Sequence, residues 1–372
     1  MPQSSKFFFG FSYWKHQSIR VYFPEEQRES INFINPFFTK NSFKLAKKKG
    51  LNQNSTLYIW GRKEFQELEE YIRKNALKLY RMEDGFIRSV GLGSDLTQAY
   101  SLVIDSRGIY FDPTQESDLE HIVQNSVFDE TLLIRAKKLR EYLLEKKLSK
   151  YNLYKNKTVH VPSEKRVVLV PGQVEDDASI RYGASGMSNL ELLKKARENS
   201  KDAYIIYKPH PDVLVGNRIG HVEEFDALQY ADVILTQVGL DSVLDVADEV
   251  HTMTSLVGFE ALMRGKRVFT YGMPFYAGWG LTEDSEICKR RTRKISLDEL
   301  VAATLILYPR YIHPKSLKSC EVEELLIELE KEKEFYEKFT LQRVIRDIRN
   351  FIVRKVQYIL RIIMQKKVSF DE

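Results

Sequence analysis

The sequence predicts an α/β protein with two Rossmann-type domains that face a central cleft. Two observations lead to this fold class. Short apolar runs alternate with helical patterns along both halves of the 372-residue chain, which is typical of parallel sheets covered by helices. Polar clusters follow the predicted strands, and ligands of open α/β sheets bind at the carboxyl ends of strands. We predict domains at 1–160 and 161–320, followed by a helical basic tail at 321–372.

The first half contains three strand-like runs. "KFFFG" and "TLYIWG" are apolar and end in glycine, a helical pattern over 64–75 follows the second, and "LKLYRMEDG" is the third. The alternation of "YSLVIDSRGIYFD" around 105–108 predicts a β-hairpin. Residues 115–149 have a helical pattern, and 150–165, which lacks a clear period, is the predicted linker.

The second half repeats a strand–loop–helix pattern. "RVVLVPGQ" is an apolar strand that ends at Pro-Gly, and a helix is predicted over 187–199. "AYIIYKPHP", "DVILT" and "RVFTYG" are further strands, with a helix over 256–264 before the last. Because each strand is followed by a helical crossover, a parallel sheet is expected.

Composition and charge restrict the class of protein. Cys288 and Cys320 lie far apart without metal-like spacing, which favours a reducing compartment over a disulfide scaffold or a zinc site. The N-terminal sequence lacks the apolar core of a signal peptide, and no stretch reaches the roughly 18 apolar residues that span a bilayer. We therefore expect a cytoplasmic protein.

The formal charge of +5 is concentrated near the C-terminus. Residues 343–367 contain eight basic side chains and one acid, and isoleucines and valine recur there at helical spacing. Such a basic amphipathic helix either packs on the body of the protein or lies on an anionic lipid surface. A basic tail on a near-neutral body favours an anionic surface over a nucleic-acid groove.

Two acids and an arginine surround the end of the third strand. Glu83 and Asp84 stand side by side before Gly85, and Arg88 follows. Taken alone, the motif is explained by a charged turn with capping or ion-pair contacts. Successive residues of an extended chain point to opposite faces, so one of the two acids is expected to meet a ligand.

Two strand-end loops of the second half carry charged residues. "PGQVEDDAS" places Gln173, Glu175 and Asp176 after a strand. They are either helix-capping residues of a solvated loop or Mg²⁺ ligands, and the second interpretation is disfavoured because no P-loop accompanies them. "YKPHPDV" holds Lys208 and, between two prolines that stiffen the loop, His210. That rigid pair favours an anion site over a purely structural histidine.

The third loop precedes a helix. Thr254 and Ser255 are good N-cap residues, and a helix N-terminus also suits a phosphate. Glu260, further along this helix, could reach the hydroxyls of a ribose. The aromatic and glycine-rich stretch 271–284 is either a ligand-facing loop or a wedge between the domains.

Together these motifs resemble one protein family. "EDGFIRSVGLG", "SLVIDSRGIYFD", "VLVPGQVEDDASIRYG", "YKPHPDV", "TSLVGFEALMRGK" and "PFYAGWGLTED" are similar, in this order, to motifs of the capsule polysaccharide β-Kdo transferases of the KpsC type. The resemblance covers about 78–285, and more loosely 1–320. It implies a GT-B-like architecture, in which two Rossmann-type domains hold the active site between them.

The resemblance also implies an activity. Members of the family transfer 3-deoxy-D-manno-octulosonic acid (Kdo) from CMP-β-Kdo with retention of the β configuration. Their acceptor is a Kdo-terminated glycolipid on lysophosphatidylglycerol at the inner face of the cytoplasmic membrane, where a peripheral enzyme and other capsule assembly proteins are expected. Family members often carry two transferase modules; this chain has one set of motifs, so the linkage that it makes stays open.

Site roles follow from the same resemblance. Retention through a covalent intermediate requires a carboxylate nucleophile, for which Asp84 is expected, with Glu83 positioning it or deprotonating the acceptor. Arg88 is expected to bind the Kdo carboxylate or to balance Asp84. Residues expected to bind the CMP donor are Lys208, His210, Thr254, Ser255 and Glu260. Gln173, Glu175 and Asp176 are expected to line the donor side of the cleft, and neither a cofactor nor an obligatory metal is expected.

Two alternatives stay open. The Lys-Pro-His-Pro and Thr-Ser elements suit CMP in general, so a transferase for another CMP-sugar, such as sialic acid, is the second interpretation. The third, a catalytically inactive scaffold that recruits capsule enzymes, is disfavoured by the presence of Asp84, His210 and Ser255.

Overall fold

The first half of the chain builds a mainly parallel sheet. A computed structural model describes residues 5–34, 41–90, 97–148, 158–216 and 218–338. The strands of this half are β1 (Lys6–Phe9), β2 (Ile31–Ile34), β3 (Thr56–Trp60), β4 (Lys78–Asp84) and β5 (Ser101–Asp105). β1 to β4 are parallel, and β5 is antiparallel to β4. Phe7, Phe8 and Phe9 are fully buried, as is usual in an interior parallel strand with both faces covered.

Helices follow these strands. They are α1 (Lys15–Arg20), a 3₁₀-helix (Glu25–Ser30), α2 (Ser42–Lys48), α3 (Gln66–Asn75), α4 (Asp118–Asn125) and α5 (Glu130–Glu145). The predicted helical region 115–149 is thus two helices, because Ser117 and Asp129 each cap a separate N-terminus with a side-chain oxygen.

The second half forms a six-stranded, fully parallel sheet. Its strands are β6 (Val167–Pro171), β7 (Tyr204–Lys208), β8 (Val233–Ile234), β9 (Glu249–Thr252), β10 (Arg267–Thr270) and β11 (Glu283–Asp284), in the order β11-β10-β9-β6-β7-β8. Its helices are α6 (Ala178–Gly183), α7 (Asn189–Asn199), α8 (Pro211–Leu214), α9 (Glu224–Ala227), α10 (Leu240–Val246) and α11 (Leu256–Met263). Two α/β units are therefore present, which confirms the predicted fold class.

The chain then returns to the first sheet. α12 (Leu297–Val301) and a π-helical segment (Ala302–Leu307) lead into β12 (Pro309–Ile312), β13 (Ser319–Cys320) and α13 (Val322–Lys338). β12 pairs antiparallel with β5, so the first sheet has the order β13-β12-β5-β4-β3-β1-β2. The predicted second domain of 161–320 includes β12 and β13, which pair with the first sheet because this pairing joins segments that are distant in sequence.

The return is fixed by charged contacts. Arg135 on α5 donates to Glu321 and Glu323 at 2.7 and 2.8 Å, and the hydroxyl of Tyr308 donates to Asp105 at 2.8 Å. α13 begins at Val322, between the two glutamates that Arg135 contacts.

The predicted basic stripe at 343–367 lies outside the described residues. In the described ranges no helix is both long and apolar enough to cross a membrane.

The predicted hairpin around 105–108 is wrong. Strand β5 ends at Asp105, whose Oδ1 accepts hydrogen bonds from the backbone N–H groups of Arg107, Gly108 and Asp118 at 2.8–3.0 Å. The carboxylate thus holds a turn into the loop before α4 instead of a return strand. The antiparallel partner of β5 on this side is β4, with Asp84 opposite Leu102.

The two halves share an apolar core. The rings of Phe86 and Phe275 lie 4.8 Å apart, and Tyr110 contacts Phe275 at 5.8 Å. Within the stretch 271–284, Tyr276 and Trp279 are fully buried. Most of this stretch is therefore a wedge between the halves. In the polar segment that follows it, Arg291 donates to the buried Glu120 of α4 at 3.1 Å.

Candidate active site

A cavity of about 750 Å³ lies between the two sheets. The first half contributes the ends of β3 and β4 and the loop that follows β3. The second half contributes the loops after β6 and β7 and the N-terminus of α11. The carboxyl ends of strands from both sheets thus meet at one cleft, as the strand-end clusters of the sequence predict.

Asp84 is the last residue of β4 and lines the cavity between two cations. Its Oδ1 accepts from Lys15 Nζ at 3.1 Å, and its Oδ2 accepts from Arg88 Nε at 2.9 Å. The side chain of Asp84 is 15% exposed, so these ion pairs are only partly screened by water. The arrangement stabilises a charged carboxylate at the floor of the cleft.

Arg88 is anchored behind Asp84. Besides Asp84, its guanidinium donates to Ser89 Oγ at 2.8 Å and to the carbonyl oxygen of Thr97 at 2.6 Å. The side chain is fully buried and does not reach the cavity lining. Of the two roles expected for Arg88, contact with Asp84 is the one that this geometry presents.

Glu83 also borders the cavity, although strand alternation predicts opposite faces for the two acids. Its Oε1 accepts from the backbone N–H of Asp84 at 3.0 Å, so the side chain folds back beside its neighbour at the strand end. Burial lowers the pKa of the nearby Lys63 ammonium, and the charge of Glu83 opposes this shift. Glu83 therefore lies within the same charged cluster as Asp84.

Gln173 holds the loop that precedes α11. Its Nε2 donates to Thr254 Oγ1 at 3.1 Å, and its Oε1 accepts from Thr254 N and Thr252 Oγ1 at 3.0 and 3.2 Å. Thr254 and Ser255 line the cavity, and Ser255 Oγ accepts from Val257 N at 3.2 Å as the N-cap. The end of β6 thus fixes the start of a helix whose N-terminus faces the cleft.

Glu175 and Asp176 have different positions. Glu175 Oε1 accepts from the backbone N–H of Asn189 at 2.7 Å, which caps α7, and the side chain is not part of the cavity lining. Asp176 lines the cavity and accepts from Arg218 Nε at 3.1 Å. For Glu175 the helix-capping interpretation describes the observed contact.

Lys208 and His210 lie at the end of β7 on the cavity wall. Lys208 Nζ donates to the carbonyl oxygen of Val238 at 2.7 Å, and burial lowers the pKa of this ammonium to about 8. His210 Nδ1 accepts from Asp212 N at 3.2 Å, so the neutral ring carries its proton on Nε2. The loop thus presents one ammonium and one imidazole of fixed orientation.

Glu260 lines the cavity on the side of the second sheet. It lies on α11, is 6% exposed and lines the cavity together with Ser255. The close packing of this helix on the wedge depends on Gly258, where an added Cβ would lie 2.2 Å from the hydroxyl oxygen of Tyr276. That hydroxyl donates to Ser255 O at 2.5 Å, which ties the N-terminus of the helix to the wedge.

Several residues that line the cavity or contact its lining were not expected from the sequence. Lys15 pairs with Asp84 from α1, and Trp60 at the end of β3 lies under its ammonium, 3.5 Å from the ring centroid. Trp60 ends a strand at the cleft, so the strand-end rule could have found it, whereas Lys15 contacts Asp84 through the packing of α1 and is not part of the cavity lining. Arg181, Asp241 and Lys333 also line the cavity; the last two come from distant segments that no motif indicates.

The described residues contain no group of three or more histidine, cysteine, aspartate or glutamate side chains placed to hold a metal ion. The expectation that no metal is required stays a prediction.

Comparison with known proteins identifies the family. A family model described as capsule polysaccharide biosynthesis protein matches residues 55–311. The capsule polysaccharide modification protein LipA of Neisseria meningitidis serogroup A is 47% identical over 315 residues, which are 84% of this chain and 44% of that protein. The lipopolysaccharide-processing protein LpsZ of Rhizobium meliloti is 43% identical over 280 residues, 74% of this chain and 64% of its own length. The chain spans less than half of the length of the meningococcal relative.

Two solved structures are similar over most of the chain. The β-Kdo 2,7-transferase of Thermosulfurimonas dismutans KpsC is 37% identical with a TM-score of 0.70, covering 89% of this chain and 100% of that one. The β-Kdo 2,4-transferase of that KpsC is 29% identical with a TM-score of 0.74, covering 89% of this chain and 99% of that one. The GT-B-like architecture expected from the motifs is thereby confirmed. This chain belongs to the capsule polysaccharide biosynthesis protein family and is a member of the KpsC type.

Proposed function

We propose that this chain is a retaining glycosyltransferase that moves Kdo from CMP-β-Kdo to a Kdo-terminated glycolipid. One observation carries the proposal: an ion-paired carboxylate, Asp84, faces the nucleotide-type groups Lys208, His210 and Ser255 across one cavity. The likeness to solved β-Kdo transferases supports the choice of sugar. The resemblance of the motifs to the KpsC-type family supports the further proposal that the acceptor is a glycolipid and that the enzyme works at the inner face of the cytoplasmic membrane.

The transfer has two displacement steps. In the first, an oxygen of Asp84 attacks the anomeric carbon of Kdo, the bond to the phosphate oxygen breaks, and CMP leaves with the bonding electrons. In the second, an acceptor hydroxyl attacks the same carbon and displaces Asp84, while its proton passes to a nearby base. Glu83 borders the cavity beside Asp84 and is the candidate for that base. Two inversions retain the β configuration.

The CMP half of the donor fits the second sheet. The ammonium of Lys208 and the N–H groups at the start of α11 supply positive charge for the single phosphate. His210 contributes an Nε2–H donor, and Glu260 offers a carboxylate to the ribose hydroxyls. Gln173 acts through Thr254, because its amide holds the loop that carries the helix N-terminus.

Product analysis tests the proposed function. The purified chain is incubated with a Kdo-terminated acceptor and either CMP-Kdo or CMP-sialic acid, and the product is examined by mass spectrometry and by NMR of the new linkage. We expect Kdo transfer with β configuration. A product made from CMP-sialic acid alone would establish the second interpretation, and a protein that binds CMP without forming either product would establish the scaffold.

The pKa of Lys208 predicts how CMP binding depends on pH. In the ligand-free protein this ammonium loses its proton near pH 8, whereas the CMP phosphate stays dianionic above that pH. We expect CMP affinity to fall by about tenfold per pH unit above pH 8, as measured by calorimetry. Cytidine, which lacks the phosphate, is the matched ligand control and should show no such fall.

The stability of the ligand-free protein should change in the opposite direction. Between pH 8 and 10.5 the unfolded chain holds the Lys208 proton and the folded chain does not. The free energy of unfolding therefore rises with pH across this window through this group. In Lys208→Met both pH dependences should be lost, and a CMP affinity that stays constant up to pH 9.5 in the parent protein would contradict the assignment.

A further inference from the structure

Lys15 occupies a position at the active site that the proposed chemistry has not yet used. It lies in the first turn of α1, where its ammonium sits 3.5 Å from the centroid of the Trp60 ring and 3.1 Å from Asp84 Oδ1. Its side chain is 12% exposed. A lysine held over an aromatic face beside a carboxylate is stabilised by both contacts.

The two cations of Asp84 differ in their freedom to move. Arg88 is fully buried and also donates to Ser89 Oγ and the Thr97 carbonyl oxygen, so each of its three guanidinium nitrogens is held by a hydrogen bond. The ammonium of Lys15 has three N–H donors, of which Asp84 takes one, and it stands at the end of a flexible four-carbon stem. Lys15 is therefore the cation that can contact a second anion without losing Asp84.

The proposed donor brings such an anion to this place. In a 2-keto sugar acid the carboxylate is attached to the anomeric carbon, which is the atom that Asp84 attacks. Two carboxylates must then approach within contact distance in a partly desolvated cleft, where like charges repel strongly. A cation between the two carboxylates offsets this repulsion in the ground state and while the bond between Asp84 and the anomeric carbon forms.

We infer that Lys15 binds the carboxylate of the donor sugar, bridging it to Asp84, and so makes the site selective for 2-keto sugar acids. Arg88 does not take this role because its fully buried fork is already held by Asp84, Ser89 Oγ and the Thr97 carbonyl oxygen. The inference rests on the proposed function, since it requires Asp84 to be the group that meets the anomeric carbon. Burial lowers the pKa of the Lys15 ammonium and the charge of Asp84 opposes this shift; the proposed step moves no proton through Lys15.

Donor analogues isolate this contact. The kcat/KM values of CMP-β-Kdo and of its carboxamide, in which the anionic group is neutral, are compared in the parent protein and in Lys15→Met. The parent should prefer the acid by about ten- to a hundredfold, the range of a charge-assisted hydrogen bond. In Lys15→Met this preference should fall to about threefold or less, while the inhibition constant of CMP stays within about twofold of the parent value.

Three variants serve as controls. Lys15→Arg keeps the charge and should keep the preference for the acid. Lys15→Gln removes the charge but keeps a donor over Trp60, and it gives the same readout should Lys15→Met fail to fold in thermal unfolding. Lys6→Met removes a lysine of β1 that lies outside the cavity lining and should change neither donor.

The outcomes separate the two hypotheses. A parent protein that transfers no Kdo would contradict the proposed function. A parent that transfers Kdo, with an undiminished preference for the acid in Lys15→Met or Lys15→Gln, overturns the role of Lys15 and leaves the proposed function standing. Loss of the preference in both neutral variants, with CMP inhibition unchanged, establishes the contact.

Discussion

Asp84→Asn is expected to abolish Kdo transfer, by on the order of 10⁴-fold or more, because a carboxamide cannot form the glycosyl ester. The exchange keeps an oxygen acceptor for Arg88 Nε, which lies 2.9 Å from Oδ2 in the parent protein. CMP affinity should be retained, since the residues that we propose to bind CMP belong to the second sheet and its loops. Transfer is measured by the rate of product formation, and CMP binding by calorimetry.

Asparagine is a better test than alanine for a structural reason. Both exchanges remove the negative charge, but alanine also removes both acceptor oxygens and leaves the Nε–H of the fully buried Arg88 unsatisfied, which costs about a further 1–3 kcal/mol. Loss of activity would then be confounded with loss of folding. Glu83→Gln is the matched control and should slow the second step without preventing formation of the adduct. A covalent adduct on Glu83, or an active Asp84→Asn enzyme, would show that Asp84 is not the nucleophile.

Arg88→Met is expected to give the largest loss of stability among the site variants, about 3–5 kcal/mol in the free energy of unfolding. Methionine has a similar length but cannot satisfy Asp84, Ser89 Oγ or the Thr97 carbonyl. The loss is measured by urea denaturation, with an unchanged slope as the sign that the same fold is unfolding.

A double-mutant cycle identifies the ion pair as the cause. Combining Arg88→Met with Asp84→Asn removes both partners of this ion pair, so the double variant should be more stable than the sum of the single losses predicts. Arg88→Lys keeps the charge but loses the fork and should show an intermediate loss. Arg88→Met with a stability within about 1 kcal/mol of the parent would mean that the pair contributes little.

Local patterns in the sequence were sufficient for much of the fold. Apolar runs that end in glycine or proline predicted β1, β3, β4 and β6, and helical periods predicted α3, α7 and α11. These elements depend on contacts between near neighbours or on burial of both strand faces. The return of β12 to the first sheet was not predictable in this way, because Val103 finds its partner Pro309 only after the whole second sheet has been passed.

The site residues likewise fall into those that local sequence patterns predict and those that only tertiary packing brings to the site. Residues at strand ends, such as Asp84 and Lys208, were predicted because parallel strands direct their carboxyl ends to one edge. Lys15 was missed because its position matters only through the packing of α1 against Trp60 and β4. Glu175 shows the opposite case: an acid in a site-like motif whose observed contact is with the N-terminus of α7.

The pairing of β5 with β12 has a consequence for biosynthesis. A ribosome adds about 5–20 residues per second, so the β5 edge waits roughly 10–40 s for the strand that covers it. During that time the second sheet, which is contiguous in sequence, can form completely, while the first presents an uncovered edge to other nascent chains. Chains that terminate before Pro309 keep this edge uncovered and should be captured by chaperones or aggregate, even though the cavity-lining residues from Trp60 to Phe275 have already been made.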